Sequence, residues 1–567
     1  MARNGSERAR RRSLWSIIAV LLVAAALRLS GVAWDGSIGA HPDERYLVGV
    51  AEEMARRREL DPLTVDTSFP YGHVPLYLLL LLGRADRLMV ARLLTGLLDV
   101  GTVALTAALA RALMAADGWN RSRSGGALMA ALFLAAMPLH VQQAHFATAD
   151  VPLAFFSVGA LLFAARSAVR SQTRSAAKCC RARSQARSAA EGHLAGIWAG
   201  LALGCKAGAT LLLIPVALAG ALGAENRRER IRRVAGALGA ALATFVVTNP
   251  FAVLEFPRFL SNVTAQAALA RGAVLVPYTL QYRGTLPYLY PIAQQLVWGM
   301  GPVLGLLSFG GLVWIGARAA RGRLSPAEWV VLAWALPFFA FTGGLYVKFP
   351  RYLLPLMPIL AVYAAQWIMA MGRGRVIRML STLALLPAAF LSLALVGSYG
   401  RPHPWVAASE WIRAHLPPGS VIAVEEWDHP LPLDAEGYTL RVLPVFEPEG
   451  EKKERRMASV LAEADAVVVA SRRGYGALAR WPDRFPMTLS HYRALFAGER
   501  GFVAVGCWGR WPSLVGLSLA DAPFGAADLP LPHPACRPAG AWLRLPRLDE
   551  SFVVYDHPEV VVFVASR

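Results

Sequence analysis

Eleven apolar runs, at 14–34, 89–111, 124–141, 149–166, 192–206, 207–224, 234–252, 292–316, 327–346, 352–371 and 379–398, fill most of the first 398 residues of this 567-residue chain. A bilayer core about 30 Å thick takes about 20 apolar residues as a helix, and in that medium only helices and closed barrels satisfy every backbone hydrogen bond. The pattern predicts an α-helical polytopic membrane protein with about 11 transmembrane helices over 1–398. Charged residues make up only 17% of the chain, against about 25% in soluble domains.

Charge placement orients these helices. Residues 1–398 hold 40 Lys and Arg against 18 Asp and Glu, while residues 399–567 hold 18 against 20. The basic excess falls in every second loop: before 14, and after the second, fourth, sixth, eighth and tenth runs. Cytoplasmic loops collect such residues. The N-terminus is therefore expected in the cytoplasm, and the alternate loops and everything after 398 outside the cytoplasmic membrane. A nearly neutral C-terminal region argues against a nucleic-acid partner, since phosphate contacts need a basic surface. The first run is expected to be a retained helix rather than a cleaved signal, with Arg28 snorkelling to the outer interface. Residues 74–83 are too short to cross and are expected to lie at the interface.

Past 398 the long apolar runs stop and prolines appear. Residues 399–567 read as a small extracytoplasmic α/β domain, with a helix at 405–416 and strands at 420–425, 464–470, 552–555 and 560–564. Cys507 and Cys536 share this region and can form a disulfide. The run Glu425-Glu426-Trp427-Asp428-His429-Pro430 is read as a strand-end loop, because no second cluster in the region completes an active site.

Ionisable residues beside hydrocarbon are costly to desolvate and mark substrate paths or catalytic sites. Gly39-Ala-His-Pro-Asp-Glu-Arg45, just after the first apolar run, holds His41, Asp43 and Glu44. Asp150 opens the fourth run, where it can cap the helix, join a site, or both. His145 lies in the same loop. Only five lysines accompany 53 arginines. Lys206 divides the fifth and sixth runs, and Lys348 opens Lys-Phe-Pro-Arg351-Tyr352-Leu-Leu-Pro355. Cations at an outer face imply an anionic ligand such as a phosphate at headgroup depth.

The order Pro42-Asp43-Glu44, Asp150-Val-Pro-Leu, Lys206 after a Gly-rich helix, and Lys-Phe-Pro-Arg-Tyr-Leu-Leu-Pro resembles the GT-C superfamily over roughly residues 14–400. Within it the chain is most similar to bacterial relatives of the dolichyl-phosphate-mannose protein mannosyltransferases and of the lipid A aminoarabinose transferases. The resemblance implies an inverting transfer of a sugar from a polyprenyl-phosphate donor to a hydroxyl on a protein, lipid or glycan acceptor. Asp43 is then the general base and Glu44 its positioning neighbour, while Asp150 orients the acceptor or holds a basic partner. Lys206 and Arg351, with Lys348 as helper, stabilise the leaving phosphate. Tyr352 and His145 are further substrate-binding candidates. His41, His73, His140 and His145, with Asp43 and Asp150, leave a divalent metal open, but no compact ligand spacing supports one and no cofactor is expected. The rival class is a transporter or lipid flippase; no paired broken helices in two related halves favour it.

Overall fold

The computed structural model describes residues 2–82, 86–118, 123–171, 178–222, 224–372, 374–433, 437–521 and 529–566. Arg121, Arg174 and Arg373 of the basic loops lie outside the described residues.

Helix occupies each of the eleven apolar runs. Among the described residues, six helices are long and apolar enough to cross a membrane: Arg87–Ala116, Asp150–Ser171, Arg227–Thr248, Pro302–Ala320, Pro326–Gly343 and Gly374–Ser398. A seventh forms if Ser124–Ala135 and Pro138–Ala144, bent by 61°, count as one span, and the apolar helices Ser13–Leu29, Ala207–Leu222 and Met357–Ala370 are shorter. Val74–Leu82 is a nine-residue helix, too short to cross.

The interior of the helical part is stapled by buried charge. Arg28 does not snorkel: its side chain is wholly buried, with Nε 2.6 Å from Asp99 Oδ2. Its terminal nitrogens donate to the carbonyls of Leu134 and Ala135, at the bend ahead of the Pro138 helix, where Leu134 O also accepts from Met137 N–H. His140 completes the set, with Nδ1 2.7 Å from Asp99 Oδ1. A buried arginine whose donors are taken by a carboxylate and backbone carbonyls meets no water to reach for, so the expected interfacial position is replaced by an internal one.

The C-terminal part begins with a helix at Pro404–His415. A five-stranded sheet follows, built from β1 (Val421–Glu425), β2 (Thr439–Leu443), β3 (Ala466–Val469), β4 (Phe502–Trp508) and β8 (Val560–Ala565), in the order β2-β1-β3-β8-β4. β1 pairs in parallel with β2 and β3, and β8 runs antiparallel between β3 and β4. β3, Ala-Val-Val-Val, is buried on both faces, as a continuous apolar strand must be. β5 (Ser513–Leu514), β6 (Leu517–Ala520) and β7 (Ala541–Arg544) form a second, smaller sheet. Cys507 and Cys536 are disulfide-bonded.

The strand expected at 552–555 is instead a helix, Glu550–Val553, whose N-cap Asp549 accepts from the Ser551 backbone N–H. A four-residue apolar run has no period of its own, and the Asp-Glu-Ser start decides for helix.

The two parts share one hydrophobic core that runs from Val20 to Val562. Gln142 donates to Phe552 O at 2.8 Å, Tyr399 to Asp556 at 2.7 Å, and the Arg510 guanidinium to the carbonyls of Trp34 and Asp556. These contacts hold the α/β part over one end of the helices.

Candidate functional site

Where the two parts meet, a cavity of about 620 Å³ is lined by Asp43, Asp150, Lys206, Arg351 and Tyr352 from the helical part and by Trp405, Trp427, Asp428, His429, Arg473 and Tyr555 from the α/β part. Each charged side chain is delivered by a break in helix. Gly39, at φ 64°, turns the chain into the Pro42–Arg57 helix, whose first turn carries Asp43 and Glu44. Asp150 starts its own helix. Arg351 sits in a short 3₁₀ turn, Pro350–Leu353, ahead of Met357–Ala370.

Lys206 occupies an extended residue between the helix ending at Leu203 and the turn beginning at Ala207. That break is held by another loop, since Gly72 N–H donates to Cys205 O at 3.1 Å and Val74 N–H to Gly204 O at 3.0 Å. The approach needs glycine: a Cβ on Gly72 would stand 2.1 Å from Gly204 O. The Tyr71 ring, next in that loop, lies 5.6 Å from Lys206 Nζ.

The four charges form an alternating chain. Arg351 binds Asp43 at 2.8 Å and approaches Asp150 at 3.8 Å, and Asp150 accepts from Lys206 at 2.6 Å. His41 Nε2 lies 3.1 Å from an Arg351 nitrogen, and burial, with Arg351 alongside, pushes the His41 imidazole well below its ordinary pKa. His41 is therefore neutral and accepts from Arg351. Asp43 is one-quarter exposed, the more accessible of the two carboxylates in this set, Asp150 being buried.

Three residues singled out from sequence stand elsewhere. Glu44 is wholly buried, facing Arg92 with contacts of 2.6 and 2.9 Å and accepting from Ala147 N–H. It braces the loop rather than entering the cavity, because its neighbour Asp43 is one helical step, about 100°, away. His145 is buried with its ring nitrogens on Val141 O and Ser30 O. Lys348 donates to Thr285 Oγ1 and Tyr346 O, outside the cavity lining.

Among the described residues no three His, Cys, Asp or Glu side chains gather as a ligand set. Asp43 and Asp150 each already face a cation, His140 is held by Asp99, and His73 faces Tyr77.

The α/β wall went unseen in the sequence. After Glu425, the last residue of β1, residues 426–430 are indeed a loop, yet Trp427, Asp428 and His429 turn into the cavity. Trp427 sits at φ 62°, a costly conformation for a bulky residue, and one that clusters at functional sites. Arg473 donates to Trp427 O at 2.9 Å and pairs with Glu550 at 3.2 Å, while His429 stacks on Trp405 at 4.1 Å. The second cluster missing from the region is supplied by the helical part. Tyr71, Tyr278 and Arg45 were also missed, and a lone tyrosine or arginine carries no signal in sequence.

Glu425, just before that loop, is buried and accepts from the Tyr492 hydroxyl at 2.6 Å, with its second oxygen unpartnered. Burial pushes its carboxyl up to about 8. A carboxyl raised in the fold binds its proton there and releases it on unfolding, so its stabilisation is complete below about pH 4.5 and is lost as pH rises through 8. Glu425→Gln, which keeps the Tyr492 bond, is expected to raise the unfolding temperature at pH 9 and leave it little changed at pH 5. Equal shifts at both pH values, by scanning calorimetry, would reject this assignment.

No protein-family model and no curated protein matches the chain. Solved structures do. An apo oligosaccharyltransferase from Archaeoglobus fulgidus aligns at 15% identity and TM-score 0.52, over 87% of this chain and 73% of that one. The same enzyme tethered to an acceptor peptide containing an NVT sequon aligns at 16% identity and TM-score 0.51, over 91% and 77%. ArnT from Cupriavidus metallidurans bound to undecaprenyl phosphate aligns at 16% identity and TM-score 0.47, over 82% and 94%. The chain has the fold of the GT-C membrane glycosyltransferases, a multi-pass helical part capped by an α/β part.

Proposed function

We propose that the chain is a membrane glycosyltransferase that moves a sugar from a polyprenyl-phosphate donor to an acceptor hydroxyl at the outer face of the cytoplasmic membrane, with inversion. The observation that carries this reading is the run Asp43–Arg351–Asp150–Lys206 along one cavity wall. The cavity is also flanked by Leu153, Val263, Phe338 and Phe341, and Phe341 is 60% exposed. Such a wall suits an isoprenoid tail entering from lipid, with its phosphate drawn to Lys206 and Arg351. The archaeal relative has been solved with dolichol-phosphate, a carrier of this chemical class.

In the reaction the acceptor oxygen attacks the anomeric carbon and passes its proton to Asp43, while the C–O bond to the lipid phosphate breaks. Charge accumulates on the departing phosphate, where Arg351 and Lys206 are fixed in advance. Arg351 then serves both ends, holding Asp43 while it meets the phosphate. Asp150 keeps the two cations parallel to the wall and is a positioning residue. The exposed Trp427 ring and the tyrosines of the cavity offer the flat faces and hydroxyls that a sugar or acceptor needs.

The test is transfer from a radiolabelled polyprenyl-phosphate sugar in proteoliposomes, followed by mass spectrometry of the product. Lys206→Ala is expected to raise the donor KM at least tenfold while the protein stays folded, and full transfer at limiting donor would refute the phosphate role. Wild-type transfer is expected to survive EDTA, since cations already occupy the places of metal charge; loss on chelation with recovery on adding one divalent ion would reverse that view.

A further inference from the structure

The smaller sheet carries a residue that neither packing nor backbone chemistry favours. Leu514 of β5 pairs directly with Leu517 of β6, so Val515 and Gly516 alone make the turn. Both have positive φ, 52° and 78°. A two-residue hairpin of this kind takes Asn, Asp or Gly first, and a β-branched side chain there is strained. Val515 is also 94% exposed, so no protein contact offsets the strain. In water valine is disfavoured twice; in an apolar medium the exposure penalty disappears.

The position of the hairpin bears on which medium it meets. β5 lies against the last turns of the Gly374–Ser398 helix, with Ser513 O 3.6 Å from where a side chain on Gly397 would begin. Leu393, one turn earlier on the same helical face, is 46% exposed, as expected of a surface that meets lipid. The hairpin therefore sits beside the end of a helix long and apolar enough to cross a membrane. Basic residues border it: Arg401 donates to Trp511 O beside β5, and Arg544 ends β7, both exposed.

We propose that the β5–β6 hairpin is a membrane anchor, with Val515 seated at the boundary between headgroups and acyl chains and Arg401 and Arg544 beside anionic headgroups. Aliphatic side chains at this depth and cations at the surface are the two components of interfacial binding. The anchor ties the α/β part to the leaflet from which a lipid donor would enter, and its argument is independent of the transferase reading.

The test uses the full chain with Cys179→Ser and Cys180→Ser, carrying Val515→Cys labelled with NBD, in phosphatidylcholine–phosphatidylglycerol vesicles. NBD at 515 is expected to emit to the blue and to lose most of its emission when the lipids carry bromine high on the acyl chain. The same label at Arg441→Cys, on the exposed edge strand β2, should keep water-like emission. Unshifted, unquenched emission at 515 overturns the proposal. So does a blue shift that ignores bromine and follows protein density, which would assign the tip to a second copy of the chain. Val515→Asn suits the turn and should unfold in detergent no earlier than the native protein; marked destabilisation would mean that valine packs within the protein.

Discussion

Asparagine at position 43 is expected to slow transfer by about 10² to 10⁴-fold, the span that general-base catalysis contributes, without raising the donor KM. Asp43→Asn keeps the size of the side chain and an oxygen to accept from Arg351, now 2.8 Å away. It removes the negative charge proposed to take up the acceptor proton. The alternating chain then gains net positive charge, which favours an anionic donor. The amide oxygen still accepts from Arg351, whose other partner Asp150 stays in place, so thermal unfolding should change little. The discriminating readout is single-turnover transfer at saturating donor. A rate close to wild type would leave Asp43 as no more than a partner of Arg351.

The largest loss of stability is expected one shell behind, at Arg92. Its guanidinium, 1% exposed, meets Asp35 twice at 2.8 Å, Glu44 at 2.6 and 2.9 Å, and Val32 O at 3.0 Å, over the Trp34 ring. Arg92→Leu leaves two buried carboxylates facing each other. Removing one partner of a buried ion pair costs about 3–5 kcal/mol, enough to deplete folded protein in detergent. The triple variant with Asp35→Asn and Glu44→Gln removes the uncompensated charge as well and should recover much of the loss. Near-native unfolding of Arg92→Leu alone would show that water reaches the pair. Glu44→Gln should follow the same pattern, losing stability before rate, and so separate two adjacent acids that sequence alone could not.

What was legible in the chain follows from which signals are local. Charged residues in an apolar background identify themselves, so Asp43, Asp150, Lys206, Arg351 and Tyr352 were readable before any fold and share one cavity. Glu44 and Lys348 carry the same signal but face structural partners, because one helical step or three residues of turn redirects a side chain. Arg28 misled for the complementary reason: its partner Asp99 lies 71 positions away. The α/β wall was illegible because its meaning is long-range. Trp427 and Arg473 look like surface residues until β1 and the Glu550 helix set them opposite Asp43.

The strand order also bears on how the protein is made. β8, last in chain order among the strands of the described residues, is an interior strand of its sheet, and until it arrives β3 and β4 have no partner between them. Tyr555 and the Asp556 bonds to Tyr399 and Gln142 come in the same late stretch. The helices can therefore be in the bilayer for many seconds, at roughly 5–20 residues per second of synthesis, before the cavity has its second wall. A chain stalled before 550 would carry the charged wall without Tyr555 and without the strand that joins β3 to β4.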